Sequence, residues 1–256
     1  MIDDITPLII TYNEAENIAR TLDRLSWARR IVLVDSGSTD ETLAIARRYP
    51  SVDVVHRPFD DFANQCNFGV SQVSTHWVLS LDADYELSDA LIEELGALHP
   101  EATTSGYKAR FVYRIFGKPL RGTLYPARAV LYRKDRAVYR NEGHGHRVVL
   151  PGVVRPLANV IFHDDRKPLD RWFESQRRYA RLEAAHLLAS DSKSLNWSDR
   201  IRRAAWPAPI LVFLYTLVLK RCFLDGWAGW YYALERLIAE SLIALAIIDC
   251  RLRQIR

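Results

Sequence analysis

The chain has 256 residues, of which 49% are hydrophobic, and a formal net charge of +4. That size suits one large domain, or one domain with an extension, around a substantial core. Cys66, Cys222 and Cys250 are far apart and share no metal-ligand spacing, which excludes a thiolate metal site and suits free thiols in a cytosolic protein. Met1-Ile2-Asp3-Asp4 lacks the basic and apolar run of a secretion signal.

The charge is unevenly spread. Residues 1–106 hold 7 Lys/Arg against 18 Asp/Glu, whereas residues 107–155 hold 12 against 2. So basic a middle segment suggests an anionic partner such as phosphate, nucleic acid or charged lipid, or else a solvated basic surface.

In chain order, Thr6–Ile10 is a first strand, and Ile18, Leu22 and Leu25 predict a helix starting near Asn13 or Glu14. Ile31–Val34 is a second strand, running into the turn-rich Asp35-Ser36-Gly37-Ser38-Thr39-Asp40, after which Thr39–Thr42 opens another helix. Val52–Val55 is a short third strand and residues 62–73 a helix. Val78-Leu79-Ser80-Leu81 then runs straight into Asp82-Ala83-Asp84. Continuous apolar character marks a strand buried on both faces. This β-α-β-α-β-α-β alternation predicts an α/β fold with a mostly parallel sheet, helices on both faces and a ligand crevice at the carboxyl ends of the strands. The paired acids repel each other, so a hard divalent cation, Mg²⁺ or Mn²⁺, is the expected company there. The plainer alternative is a strand-end turn or helix cap. No Gly-x-Gly-x-x-Gly or Gly-x-x-x-x-Gly-Lys follows a strand, which argues against a dinucleotide site or a P-loop.

Thr11-Tyr12-Asn13-Glu14, Val34-Asp35-Ser36-Gly37-Ser38-Thr39-Asp40 and Leu81-Asp82-Ala83-Asp84 together resemble the three signatures of family 2 glycosyltransferases of the GT-A (Rossmann-like) fold, over residues 5 to about 95. The resemblance implies roles. Asp35 would hydrogen-bond the nucleotide base, with Thr11, Tyr12 and Glu14 lining the nucleoside. Asp82 would face the ribose or diphosphate, and Asp84 would bind the metal that bridges the diphosphate. Displacing a nucleoside diphosphate from a sugar builds negative charge on the leaving group, which a metal stabilises as a Lewis acid. Asp35 read by itself is equally a turn-forming residue. Residues 60–68 also look like the family and would add Asn67 to the donor site, although relatives often carry a basic residue near Cys66 and this chain does not.

Beyond this region, Gly106–Arg114 reads as a strand and Arg121–Arg133 as a strand pair around Pro126, an antiparallel extension on the acceptor side. In Asn141-Glu142-Gly143-His144-Gly145-His146, the resemblance puts the catalytic base at Glu142, with His144 as substitute. His144 and His146 are alternatively a metal pair or incidental to a surface turn. Val160–His163 reads as a final strand. Its His163 is a candidate ligand for metal or diphosphate, or a structural histidine, and Arg166 or Lys167 is a candidate to neutralise the leaving group.

From Leu169 the chain is helical to about Ala189, and Ile210–Leu219 and about Tyr231–Leu252 are further apolar helices. The Ile210–Leu219 run is shorter than the ~20 residues of a membrane span. Flanking Trp, Lys and Arg suit a helix lying in a membrane interface, while mutual packing or a dimer mate is the alternative. This tail is similar to those of bacterial lipopolysaccharide-core glucosyltransferases. The expectation is therefore a GT-A domain over 1–168 and a helical membrane-associating extension over 169–256. Its activity would be inverting transfer of a sugar, with UDP-glucose the favoured nucleotide-sugar donor, to a glycolipid or saccharide acceptor at the cytoplasmic face of the inner membrane. The rivals are a sugar-phosphate nucleotidyltransferase, which would carry a Gly-rich basic loop after strand one, and a non-catalytic nucleotide- or lipid-binding module. The aromatics of the basic segment form no stacking module, so no nucleic-acid partner is expected.

Overall fold

The computed structural model of the chain describes residues 1–142, 145–191 and 195–254, with the backbone alone for Glu142, Gly145, His146 and Gln254. His144, the substitute base, lies outside the described residues, and so does the side chain of His146. The chain forms two compact units, Met1–Arg114 with Tyr125–Arg166, and Ile115–Leu124 with Lys167–Arg256.

The first unit opens with β1 (Ile5–Thr11), α1 (Ile18–Asp23), β2 (Ile31–Asp35), α2 (Thr42–Ala46), β3 (Val52–His56), α3 (Phe62–Gln72) and β4 (Trp77–Asp82). Next come β5 (Tyr85–Leu87), α4 (Asp89–Ala97), β6 (Thr104–Ile115), β7 (Lys118–Pro119, in the second unit), β8 (Arg128–Arg133), β9 (Val138–Glu142), β10 (Gly145–Val149) and β11 (Val153–His163). The strand order is β3-β2-β1-β4-β8-β6-β11-β5. Strands β3, β2, β1 and β4 are parallel. Strand β8 runs antiparallel to both β4 and β6, β11 is parallel to β6, and β5 is antiparallel to β11. The mostly parallel sheet with an antiparallel extension is thus present, and β9 and β10 form a separate hairpin.

Alternate side chains of the central strands enter two cores, which is why the strands are apolar throughout. Ile5, Ile9, Ile31, Leu33, Leu79 and Leu81 pack with α1 and α4 residues such as Leu22 and Leu91. Leu8, Val32, Val34 and Val78 pack with Cys66 and Val70 of α3 and with Tyr139 of β9. Leu8, Leu33 and Leu79 are fully buried, and each such side chain contributes roughly 1.5–3 kcal/mol. Helix α3 lies close to the sheet because Gly69 has no side chain: a Cβ there would stand 2.6 Å from Leu8 Cδ1.

Several elements differ from the reading of the sequence. Helix α1 starts at Ile18, not near Asn13, because Asn13 adopts a left-handed φ of 56° that a helix cannot continue. Of the strand pair expected over 121–133 only β8 forms; Pro126 has no N–H to give a ladder. The short β5 and the β9–β10 hairpin were not anticipated, and β11 begins at Val153, well before Val160.

The second unit holds α5 (Leu169–Ala189), α6 (Trp197–Arg203), α7 (Pro207–Leu214), a π-helical continuation over Tyr215–Leu219, and α8 (Trp227–Gln254). Helix α8 starts four residues before the expected Tyr231. Ala184, Leu187, Leu195, Ala205, Ala244 and Ile247 form its core. Buried Glu240 accepts Arg202 Nη2 at 2.6 Å. Segment 115–124 is stitched to the helices: buried Asp225 accepts Arg121 N at 3.0 Å, and the Tyr232 hydroxyl accepts Leu124 N at 3.1 Å. Among the described residues no helix is long and apolar enough to cross a membrane.

Candidate active site

The strand register brings the three acidic motifs to one edge of the sheet. Thr11 stands level with Asp35 across β1 and β2, and Ile10 with Asp82 across β1 and β4. Thr11, Asp35 and Asp82 end their parallel strands, where open α/β sheets place their ligand crevice.

The first two motifs interlock. Asn13 N donates to Ser38 Oγ at 2.8 Å, and Glu14 N to Thr42 Oγ1 at 2.6 Å. Asn13 Oδ1 accepts Thr39 N at 2.7 Å, and Asp40 Oδ2 accepts Ala15 N at 3.2 Å. The left-handed Asn13 aims these groups into the neighbouring turn, so one loop shapes the other. Asp35 is buried, and its carboxylate accepts Gly37 N at 2.9 Å and Ser38 Oγ at 2.6 Å. It also accepts Ser38 N at 3.1 Å, so the turn-forming reading of Asp35 is realised. Thr11 is buried beside it, Tyr12 is exposed, and Glu14 Oε2 accepts Asn17 Nδ2 at 2.9 Å.

Asp84 and His163 come together from the ends of β4 and β11, with Nε2 3.1 Å from Asp84 Oδ2. Burial works against a charged imidazole here, but the Asp84 carboxylate, helped by Asp82 and Asp165, outweighs it and raises the His163 pKa above the ordinary value. Aromatic rings wall the imidazole: Tyr113 at 4.6 Å, Tyr125 at 4.9 Å and Tyr85 at 5.2 Å between centroids. A carboxylate and an imidazole facing one another at a strand end are donors that suit a divalent cation. Among the described residues no group of three His, Cys, Asp or Glu gathers into a complete cage. The pair thus fits a metal that takes its remaining ligands from phosphate and water, as Mg²⁺ commonly does.

Behind this pair lies a charged network. Fully buried Asp164 accepts Arg166 Nη2 at 2.7 Å and Nε at 3.1 Å, and Arg20 Nη1 at 3.4 Å. Arg20 also reaches Glu86 at 3.2 Å and Asn17 Oδ1 at 2.7 Å. Asp164 N donates to the Asp84 carbonyl at 3.2 Å, which ties the network to the acidic motif. Arg166 therefore has its charge matched by Asp164. Asn67 is engaged as well: its Oδ1 accepts Tyr139 N at 2.8 Å and its Nδ2 donates to Tyr139 O at 3.0 Å, pinning β9 to α3. Glu142 closes β9 with its backbone paired to Gly145, and its side chain lies outside the described part.

Two side chains near the acids had no role in the reading of the sequence. Tyr125 contacts the Tyr85 hydroxyl through its own, stacks edge-on to Phe111 at 5.0 Å, and carries Arg128 over its ring at 4.6 Å. The partial alternation of Arg128–Arg133 was visible, but not that β8 inserts beside β4.

Fold and site define an α/β domain with a cluster of acidic residues at the ends of its parallel strands. The family model for glycosyl transferase family 2 matches residues 7–149, more than half of the chain. The chain is 34% identical over 240 residues to the lipopolysaccharide core biosynthesis glycosyltransferase LpsC of Rhizobium meliloti, covering 87% of this chain and 85% of that protein. It is 31% identical over 241 residues to an uncharacterized glycosyltransferase of Rickettsia bellii, covering 88% and 80%. Among solved structures it is similar to a mannosyltransferase of Pyrobaculum calidifontis in complex with GDP-Man and Mn²⁺, with a TM-score of 0.52 at 15% identity, covering 98% of this chain and 87% of that one. The chain belongs to glycosyl transferase family 2. It is a glycosyltransferase with the GT-A fold.

Proposed function

We propose that this glycosyltransferase transfers a sugar, with inversion, from a nucleotide-sugar to a membrane-associated glycolipid of the lipopolysaccharide core or another envelope polysaccharide, with UDP-glucose as the favoured donor. The observation that carries the reading is the Asp84–His163 pair, 3.1 Å apart at the strand ends. Asp84 and His163 would hold Mg²⁺ or Mn²⁺, which when bound would supply Lewis-acid stabilisation of the departing diphosphate; the similar mannosyltransferase structure contains Mn²⁺. Thr11, Tyr12 and Glu14 line the nucleoside, and Asp35 receives a hydrogen bond from the base. Asp82 faces the ribose or diphosphate. Arg166, held by Asp164, borders the leaving group. Asn67 acts from behind by holding β9, whose last residue, Glu142, takes the proton of the acceptor hydroxyl as general base.

The likeness to LpsC supports an envelope glycolipid as acceptor. Exposed Trp206, Ile210, Leu214, Leu219, Trp227 and Trp230 of the second unit support contact with the cytoplasmic face of the inner membrane. Retention of the protein on anionic vesicles, lost on changing Trp206 and Leu219 to Ser, tests that part. The donor site is tested by calorimetric titration of UDP, GDP and dTDP with and without Mn²⁺. One nucleotide is expected to bind in a metal-dependent way to the wild type and not to Asp84→Asn. Binding that ignores both the metal and Asp84 refutes the assignment. Once a donor is known, Glu142→Gln should bind it normally and turn over at least ~100-fold more slowly.

A further inference from the structure

Two of the guanidinium groups near the proposed donor site already have partners. Arg166 is matched by Asp164, and Arg57, the base nearest to α3 in the chain, is matched by Asp60 at 2.8 Å and Gln65 at 2.6 Å. Cys66 occupies the α3 position where a basic residue is missing, and it stands within electrostatic reach of Asp82.

Arg128 is different. It opens β8, and the β4–β8 ladder pairs Trp77 with Arg133, Val78 with Tyr132 and Leu79 with Leu131. Beyond Leu131 the register of β8 shifts before Ala129, and Arg128 stands within electrostatic reach of Asp82. Its guanidinium rests on the Tyr125 ring at 4.6 Å and makes no hydrogen bond or ion pair with any described residue. Solvent reaches the side chain, yet burial by its neighbours is the largest influence on its charge. The Asp82 carboxylate is the nearby charge that favours the guanidinium against that burial. A guanidinium that is accessible and unmatched keeps its donors available to an anionic ligand. Stacking on Tyr125 fixes the plane of the fork, and Tyr125 also packs against His163 at 4.9 Å. Planar guanidinium donors near the acidic strand ends suit phosphate oxygens.

We infer that Arg128 binds the diphosphate of the donor nucleotide, supplying from β8 the positive charge that α3 lacks. The inference rests on the donor-site reading above and adds a residue to it. Arg128 is a binding residue here, and its action is to hold the leaving group.

The test uses the full chain with Mn²⁺. The nucleoside diphosphate that the wild type binds best among UDP, GDP and dTDP is titrated calorimetrically, and the matching nucleoside by competition, into wild type, Arg128→Gln, Arg128→Lys and Arg166→Gln. Arg128→Gln should weaken the diphosphate about tenfold and leave the nucleoside unchanged, with Arg128→Lys in between. Arg166→Gln should have the smaller effect, since its charge is matched internally. Diphosphate affinity of Arg128→Gln within about twofold of wild type, with Asp84→Asn still abolishing binding, overturns the role of Arg128 and leaves the donor site standing. Inorganic phosphate bound by the nucleotide-saturated wild type and lost in Arg128→Gln, with diphosphate affinity unchanged, moves Arg128 to the acceptor side and also overturns it. A wild type that binds no nucleoside diphosphate refutes the donor-site reading itself, and the role of Arg128 with it.

Discussion

Asp164→Asn removes one charge from the network behind the acidic motif while keeping the shape of the side chain. Asp164 is fully buried and accepts Arg166 at 2.7 and 3.1 Å and Arg20 at 3.4 Å. Breaking a buried ion pair by deleting one partner typically destabilises by about 3–5 kcal/mol. Two features reduce that here. Arg20 keeps Glu86 and Asn17, and the Arg166 side chain is 34% exposed, so water takes up part of its charge. The asparagine oxygen also still accepts one hydrogen bond. The remaining loss is about 2 kcal/mol. At this chain length that corresponds to a fall in Tm of about 4–8 °C. Thermal unfolding of the metal-free protein, followed by circular dichroism, measures it. If the two units melt separately, the shift belongs to the first unit's transition. Asp60→Asn is the control, because its pairing with Arg57 at 2.8 Å is solvent-exposed and should matter little. A Tm for Asp164→Asn within about 1 °C of wild type would falsify the view that buried charge at Asp164 holds the end of β11 in place.

Three further outcomes are expected. Gly69→Ala should destabilise the first unit by about 1–3 kcal/mol, read from the urea midpoint, because the added Cβ would stand 2.6 Å from Leu8 Cδ1 and 3.2 Å from Val34 Cγ2; an unchanged midpoint would mean α3 can lift off the sheet freely. Comparing metal-free wild type with His163→Gln across pH tests the raised His163 pKa. The folded chain holds that proton more tightly than the unfolded chain, so the stabilising contribution is full below the ordinary value of 6.5 and fades as pH rises through the higher folded value; an advantage growing with pH would reverse the assignment. In the second unit, Glu240→Gln leaves Arg202 with the more distant Glu183 at 3.9 Å. It should lower stability by roughly 2–4 kcal/mol in a denaturant titration without affecting nucleotide binding.

The sequence by itself determined the first half of the fold. Runs such as Ile31–Val34 and Val78–Leu81 are apolar at every position because both faces of a parallel strand are buried, and that signal is local. The turn residues after each strand are equally local, so the strand ends and the acids at 35, 82 and 84 beside them could be named in advance. What lay beyond reach were contacts made at long separation. Asn13 was expected inside a helix, but its left-handed backbone answers to Ser38 and Thr39 on another turn. Asn67 looked like a donor-site residue, and its amide is spent on the backbone of Tyr139, 72 residues away. Strand β8 is shared between β4 and β6, and that insertion brings Arg128 within electrostatic reach of Asp82. Segment 115–124 joins the helical unit through Asp225 and Tyr232, more than 100 residues further on. Hydrophobic period and turn chemistry reveal which residues prefer which backbone, but pairing partners across a sheet are selected by the energy of the whole packed core, and that is decided in three dimensions.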